Sequence, residues 1–183
     1  MKSFGIHWFR RDLRISGNAA LAGQYLKHQG RVLGVFTFDD SFLSRPDFSH
    51  NRFQFFLETL IKLRDDLREA GGDLLVLSES PDKAFGILKS IFEQKKLSPP
   101  HISWSRDYEP FARARDERME QLFMSWGWET STERDHLVFE PHEIKSLQGT
   151  PYKVFTPFAK QWFQLLHSKE GQLRIAYQAA ALS

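Results

Sequence analysis

The chain has 183 residues, 41% hydrophobic and 26% charged, with a formal net charge of +2. That suffices for one well-cored domain and the start of another, and the charge is too balanced for a dedicated nucleic-acid binder. With no cysteine, disulfide scaffolds, thiolate metal sites and cysteine nucleophiles are excluded. The histidines are scattered without metal-ligand spacing, no run reaches the roughly 18 apolar residues of a membrane span, and Met1-Lys2-Ser3-Phe4 has no signal-peptide pattern; no metal, no membrane association and a cytoplasmic location are expected.

Phe4 to Phe9 reads as a first strand that stops in a cluster of charge, Arg10-Arg11-Asp12-Leu13-Arg14. Ile6, Trp8 and Phe9 suit a buried pleat. The charged residues cannot be buried unpaired and are expected at or beyond the strand's carboxyl end, where open parallel sheets bind ligands. Ala19 to His28 has helix-forming composition, with Leu21, Tyr25 and Leu26 on one side and Gly30 as its stop. Arg31 to Phe38 is a nearly continuous apolar run closing in Asp39-Asp40, the pattern of a strand covered on both faces.

After a loop over 42–49, Phe53, Phe56, Leu57, Leu60, Leu63, Leu67 and Ala70 recur at helical spacing and predict an amphipathic helix over 51–70, ended by Gly71-Gly72. Asp73 to Leu77 reads as a third strand, and Ser80-Pro81 as the N-cap and first-turn proline of a helix over 82–94. His101 to Trp104 is a fourth strand running into Ser105-Arg106-Asp107-Tyr108-Glu109-Pro110. A helix over 111–126 and an edge-like strand over 127–131 complete the alternation.

This order predicts an α/β fold over residues 1–133: a Rossmann-like, doubly wound five-stranded parallel sheet with helices on both faces, because each parallel pairing needs a right-handed crossover. Residues 134–183 are proline- and glycine-punctuated and read as an exit segment, with one aromatic-rich helix over 158–167 and a tail from Gln172 that adds little core. An exposed aromatic cluster there would mark an interface.

In such a sheet three strand ends converge: Arg10/Arg11/Asp12, Phe36 to Asp40, and Trp104 to Glu109. Rings, guanidinium groups and carboxylates together suit a planar polar heteroaromatic ligand, stacked on its face and held at its edges. The same charges could equally form an ion-pair network that holds the loops together. No GxGxxG follows the first strand and no GxxxxGK[ST] occurs, which weighs against dinucleotide and nucleoside-triphosphate sites. The adjacent pairs Asp39-Asp40 and Asp65-Asp66 support no acid-base assignment, and no catalytic residue is expected.

Three ordered motifs carry a family resemblance. His7-Trp8-Phe9-Arg10-Arg11-Asp12-Leu13-Arg14 with Asn18-Ala19-Ala20-Leu21, then Trp104-Ser105-Arg106-Asp107-Tyr108-Glu109-Pro110 with Arg113-Ala114-Arg115-Asp116, and finally Gly149-Thr150-Pro151-Tyr152 running to Trp162, resemble the DNA photolyase and cryptochrome family over about residues 2–167. The resemblance implies the N-terminal antenna domain of such a protein. In the family a separate C-terminal helical domain holds the catalytic FAD, receives damaged DNA and splits pyrimidine dimers with light, a carbon–carbon lyase reaction. This chain is expected to lack that domain, to be inactive in repair by itself, and to have the helical FAD domain as its partner in cis.

Members that bind an antenna folate use an Asn-Glu pair where this chain has Phe111 and Ala112, so a folate is disfavoured. Members that bind a flavin-like antenna (8-hydroxy-deazaflavin, FMN or FAD) use positions matched by Asp107, Glu109 and Arg52, with Arg10, Arg11, Phe36, Thr37 and Phe38 as further wall candidates; an empty crevice is the alternative. The resemblance also implies that Tyr152, Phe155, Phe158, Trp162 and Phe163 face the helical domain, and that without this cover they favour self-association or disorder from near Ser168. From a different functional class, the second reading is a stand-alone nucleotide- or flavin-binding or interaction module of the same fold without repair activity.

Overall fold

Alternation along the first strand decides which side chains go to which face. The computed structural model describes residues 4–39, 43, 46, 48–98 and 100–180. Its elements are β1 (Gly5–Phe9), α1 (Ala19–His28), β2 (Val32–Thr37), α2 (His50–Glu69), β3 (Leu74–Leu77), α3 (Pro81–Gln94), β4 (His101–Ser105), α4 (Pro110–Ser125), β5 (Glu129–Glu133), α5 (Phe155–Leu166) and α6 (Lys169–Ala180). The strands form one five-stranded sheet in the order β3-β2-β1-β4-β5, and every pairing is parallel. The expected α/β architecture is therefore present. Winding reverses at β1, outward through β2 and β3 on one side and through β4 and β5 on the other, so a crevice opens between the carboxyl ends of β1 and β4.

Ile6 and Trp8 point to one face and join Val35, Phe85, Leu88, Ile102, Trp104, Met119 and Phe123, the cluster covered by α3 and α4. Phe9 points to the other, with Leu21, Phe36, Leu60, Leu63 and Leu67 of the α1 and α2 side. Each fully buried apolar side chain of this kind contributes about 1.5–3 kcal/mol. His7 shares the face of Phe9, where the buried layer includes polar groups. The end of α2 is set by backbone chemistry: Gly71 takes φ +83°, its N–H donates to Arg68 O (3.0 Å), and the Gly72 N–H donates to Leu67 O (2.8 Å).

Several boundaries and two helix faces differ from the sequence reading: on α1, Leu21 is buried with Gln24 and His28, but Tyr25 and Leu26 are exposed. On α2, Leu60, Leu63 and Leu67 are buried, but Phe53, Phe56 and Leu57 are only half-buried and Ala70 is exposed, because the first turns of α2 overhang the end of β2 rather than its middle. β5 starts at Glu129 and runs to Glu133, pairing with β4 along its whole length. α5 starts at Phe155, with Pro157 inside its first turn, where a missing N–H costs nothing. Beyond Ser168, where disorder was one expectation, α6 follows. Ser168 accepts from the Gly171 N–H (3.1 Å) and so caps α6. A Cβ on Gly171 would lie 2.3 Å from Leu165 O and 2.6 Å from Leu166 O, so only glycine lets α6 meet the end of α5.

This close approach predicts a local effect. Gly171→Ala is expected to undock α6, raising the rate of proteolysis within 168–180, while the urea midpoint of the sheet domain changes by no more than about 0.5 kcal/mol in stability. An equal protection of that segment in both proteins would contradict the packing described.

Candidate functional site

At the carboxyl end of β1 the chain places a carboxylate inside the protein. Asp12 is 2% exposed. One of its oxygens accepts the Ser105 hydroxyl (2.7 Å), the Asn18 amide (2.9 Å) and His7 Nε2 (3.3 Å), and the other accepts the Arg10 N–H (3.0 Å). Asn18 in turn caps α1 by accepting the Leu21 N–H (3.0 Å). Behind it, His7 Nδ1 lies 2.9 Å from Ser103 Oγ, and the Ser103 hydroxyl donates to Ala20 O (3.2 Å). Burial alone would push the Asp12 carboxyl up, but hydrogen bonds and charge from His7, together with the Arg10 N–H and Ser105, hold it well below the usual carboxylate range.

Around this anchor the arginines are paired. Arg10 is buried over the face of Trp8 (5.0 Å), donating to Asp116 and to Ser105 O; Arg115 lies over the same ring (5.3 Å) and binds Asp116 as well (2.7 Å). Burial lowers the Arg10 pKa, Asp116 opposes this, and Arg115 adds to it. Arg11, 64% exposed, reaches Asp107 (3.4 Å) and Glu109 (2.8 Å), and its hydrogen bond to Glu109 raises its pKa. Arg14 binds Asp135 and Gly17 O (3.1 Å), and Arg106 faces Glu140 (3.2 Å). Tyr108, beside Arg106, is pushed up to about 12 by burial and by Glu140.

The sequence-assigned wall is thus brought together in part. Arg11, Asp107 and Glu109 meet directly across the β1/β4 crevice. Phe36 is buried in the α2-side core against Phe56 (5.5 Å), and Thr37 accepts the indole N–H of Trp8 (3.3 Å). Phe38 meets Phe53 at a tilt (5.7 Å) and stacks with Phe56 (6.2 Å), an aromatic shelf at the end of β2 whose Phe53 and Phe56 the sequence reading gives to the helix core. Arg52 is exposed on the first turn of α2, and Asp40 lies outside the described residues. Phe111 is 81% exposed and Ala112 is buried.

Open space is unevenly shared. The crevice bounded by Arg10, Arg11, Asp12, Ser105 and Asp107 has only about 20 Å³ of free volume. One strand further on, a cleft of about 510 Å³ lies between β4, β5, α4 and the segment 140–142, lined by Trp104, Arg106, Tyr108, Arg113, Glu117 and Glu140. No cluster of three or more His, Cys, Asp or Glu side chains suited to a metal occurs among the described residues, nor is any described helix long and apolar enough to cross a membrane.

The exit segment carries its own contacts. Phe139 is buried beneath Trp162 (5.8 Å) and Arg174 (5.3 Å), and Arg174 binds Glu143 (2.7 Å), which lowers the Glu143 pKa. Of the assigned interface residues, Phe155 (77%) and Phe163 (52%) are exposed. Tyr152, Phe158 and Trp162 are half-buried.

The sequence reading singles out no role for Asn18, Ser103, Asp116 or Asp135, and places Ser105 only within the converging stretch Trp104 to Glu109. Asn18 before Ala-Ala-Leu is an N-cap signal. Ser103 and Ser105 alternate with Ile102 and Trp104 on a strand read as buried, which points to an internal polar network.

Comparison with known proteins gives a consistent picture. The sequence model of the DNA photolyase family matches residues 5–174. An uncharacterized 31.6 kDa protein from Synechococcus sp. (strain PCC 6716) is 32% identical over 165 residues, 89% of this chain and 56% of that protein. The crystal structure of a bacterial class III photolyase from Agrobacterium tumefaciens superimposes with a TM-score of 0.75 at 28% identity, covering 93% of this chain and 33% of the photolyase. An archaeal photolyase from Sulfolobus tokodaii, described as having two FAD molecules with the implication of a novel light-harvesting cofactor, shares the fold at a TM-score of 0.69 and 24% identity, over 94% of this chain and 41% of its own. The chain spans about half the length of the first of these relatives and about a third of the curated deoxyribodipyrimidine photo-lyases it also matches.

The buried network has a defined cost. Asp12→Asn removes the charge and sets an amide N–H₂ against either the Arg10 N–H or the Ser105 and Asn18 donors, and is expected to destabilise the domain by about 3 kcal/mol, read as a lower urea midpoint. The contribution of Asp12 is complete above the ordinary carboxylate value and is lost as the pH falls through its depressed folded value. His101 acts earlier. Burial, with Lys27 and His28 nearby, holds it down at about 4 from 6.5, so stability is expected to fall as the pH drops between those values. Urea midpoints for the parent and His101→Gln across that range check this: the variant is expected to show the flatter profile.

Proposed function

The chain belongs to the DNA photolyase family, and from that premise we propose that it is an antenna-type N-terminal domain whose work is to hold a planar, flavin-like chromophore at a fixed place, within a longer protein that performs light-driven repair of pyrimidine dimers in DNA or a related light response. The observation that carries the reading is the meeting of Arg11, Asp107 and Glu109 at the sheet's switch point, beside the Phe38/Phe53/Phe56 shelf. Carboxylates and a guanidinium can serve the N–H and carbonyl edges of an isoalloxazine, and the phenylalanine rings its face. Such a domain needs no acid, base or nucleophile of its own, because excitation passes through space from one chromophore to another and the protein supplies position alone.

The departure at Phe111 and Ala112 supports a flavin-like pigment over a folate. Arg52 enters the proposal as a further edge donor, and Arg10 as a wall-former acting through Trp8 and Asp116 rather than as a direct ligand. Phe36 underlies the shelf, and Thr37 braces Trp8 on the other face of the sheet. We assign the aromatic side of α5 (Phe155, Phe158, Phe163, with Tyr152 and Trp162) to an interface with a helical FAD-binding domain; the greater length of the relatives and the exposure of Phe155 and Phe163 support this.

Titration of the purified chain with riboflavin, followed by quenching of flavin fluorescence, tests the chromophore reading. Saturable binding is expected, and Phe38→Ala and Arg52→Ala are each expected to weaken it by about 1 kcal/mol through lost stacking or a lost charged hydrogen bond. Absence of any flavin binding would overturn the antenna assignment.

A further inference from the structure

The cleft of about 510 Å³ between β4, β5, α4 and residues 140–142 has no part in the chromophore reading. It shares only Arg106 and Asp107 with the β1/β4 crevice, and the Asp107 carboxylate is taken by Arg11 (3.4 Å). On α4, offsets of three, four and seven residues return to one side of a helix, so Arg113, Asp116, Glu117 and Glu120 form one wall of the cleft. Asp116 is engaged by Arg10 and Arg115. Arg113 and Glu117 are exposed and stand at the spacing of a helical ion pair, yet neither makes an ion pair among the described residues; Glu120 accepts the Thr130 hydroxyl (3.3 Å). On the other wall Arg106 Nη2 lies 3.2 Å from Glu140 Oε1. Even so, Arg106 Nε, Glu140 Oε1 and the Tyr108 hydroxyl are closed off from solvent and complete no hydrogen bond among the described residues. One of these orphans is a donor, one an acceptor and one either, and such groups are costly until a partner meets them.

We propose that this cleft binds a free basic α-amino acid, lysine or arginine, with its head group at the carboxyl end of β4 and its side chain along α4. Charge sign is ordered along the wall. Arg113 sits in the first turn of α4, at the same end of the sheet as Arg106; Glu117 follows about 6 Å and Glu120 about 10.5 Å further along the axis. An extended lysine or arginine side chain has a reach of that order. The α-carboxylate accepts from Arg113, Arg106 Nε and the Tyr108 hydroxyl, the α-ammonium donates to Glu140 Oε1, and the side-chain cation meets Glu117, with Glu120 beyond it. Every orphaned group then has a partner. With Asp107 and Asp116 already paired, the cleft offers two guanidinium groups against three carboxylates, so a ligand carrying both signs and one positive charge in excess balances it. A simple anion would face Glu117, Glu120 and Glu140, and a diamine would leave Arg113 and Arg106 Nε unmet. A neutral flat ring gains little: Trp104 is 1% exposed, and the Tyr108 ring is set edge-on against His136 (5.3 Å).

Calorimetric titration of the full chain with lysine, arginine and three lysine analogues tests this. Lysine or arginine is expected to saturate the chain with a Kd near or below about 1 mM. Norleucine lacks the side-chain cation, cadaverine the carboxylate and Nα-acetyl-lysine the α-ammonium, and each is expected to bind at least about tenfold more weakly than lysine. Arg113→Ala and Glu117→Gln alter exposed side chains, so their urea midpoints are expected to match the parent while lysine affinity falls about tenfold in each. Glu117→Gln is further expected to leave norleucine binding unchanged, because that ligand brings no cation to the position. Failure of both amino acids to bind, cadaverine or norleucine binding as tightly as lysine, or lysine affinity indifferent to both substitutions would overturn the assignment.

Discussion

A single buried carboxylate ties this domain together. Asp12 stands where β1 ends, and its partners come from the strand itself (His7), from the following loop (the Arg10 N–H), from the cap of α1 (Asn18) and from the far side of the crevice (Ser105 on β4). Each donor satisfies a lone pair that would otherwise be desolvated at a cost of several kcal/mol, so the network is stable only when complete. Completeness fixes geometry. β1 and β4 pair by register only through Gly5–His7 and His101–Ser103, and beyond that point the Asp12–Ser105 bond takes over from the sheet ladder in holding their ends. Further back along the same seam Gln24 does comparable work, its amide donating to Ile6 O (3.2 Å) and His101 O (2.9 Å). α1 is thus pinned to the β1/β4 seam by polar side chains at its N-cap, Asn18, and at its middle, Gln24.

The sheet was legible because parallel strands leave a strong signal: short apolar runs separated by helical periodicity, with glycine and proline at the joints. α1 was read over the same residues that it occupies, since Asn18 and Gly30 bracket it; α2 and α3 were read within a residue at each end for similar reasons. The site was legible only at the level of which strand ends would meet. Arg11, Asp107 and Glu109 do meet, but the sequence could not show that Arg10 would turn inward onto Trp8 while its neighbour Arg11 turns out, because that choice is made by Asp116, more than a hundred residues away. Phe53 and Phe56 fit the apolar stripe of α2, and nothing local reveals that the stripe outruns the strand beneath it. α6 was hidden by Gly171, a residue that lowers helix propensity and is there for packing.

The ion pairs of the charge cluster fall into two kinds. Arg10, Arg14, Arg115, Asp116 and Asp135 are mostly buried or bound into pairs that order the loops after β1 and β5. Arg11 and Glu109 are exposed, and an exposed pair of this sort is worth little to folding, typically about 0–1 kcal/mol. A group that adds little to stability and stands at a switch point is free to exchange its partner. The inner pairs supply rigidity, and the outer pair leaves exposed hydrogen-bonding groups at the mouth of the crevice.

This division bears on how a positioning domain must be built. Transfer of excitation between two chromophores depends on distance and orientation, so a holder that let its ligand rock would lose most of its value. Trp8 is 1% exposed, with the guanidinium groups of Arg10 and Arg115, both bound to Asp116, over its ring, and it is hydrogen-bonded to Thr37 of β2; it links the crevice floor to two strands and to α4 at once. A ligand resting on Arg11 and Asp107 would inherit the rigidity of that floor through the backbone of residues 10–12, whose N–H and side chain end on Asp12. The anion that stabilises the fold would then be the same one that aligns the ligand. Stability and alignment could not be tuned separately in such a domain, and changes that respect both are confined to its exposed rim, at Arg11 and Glu109.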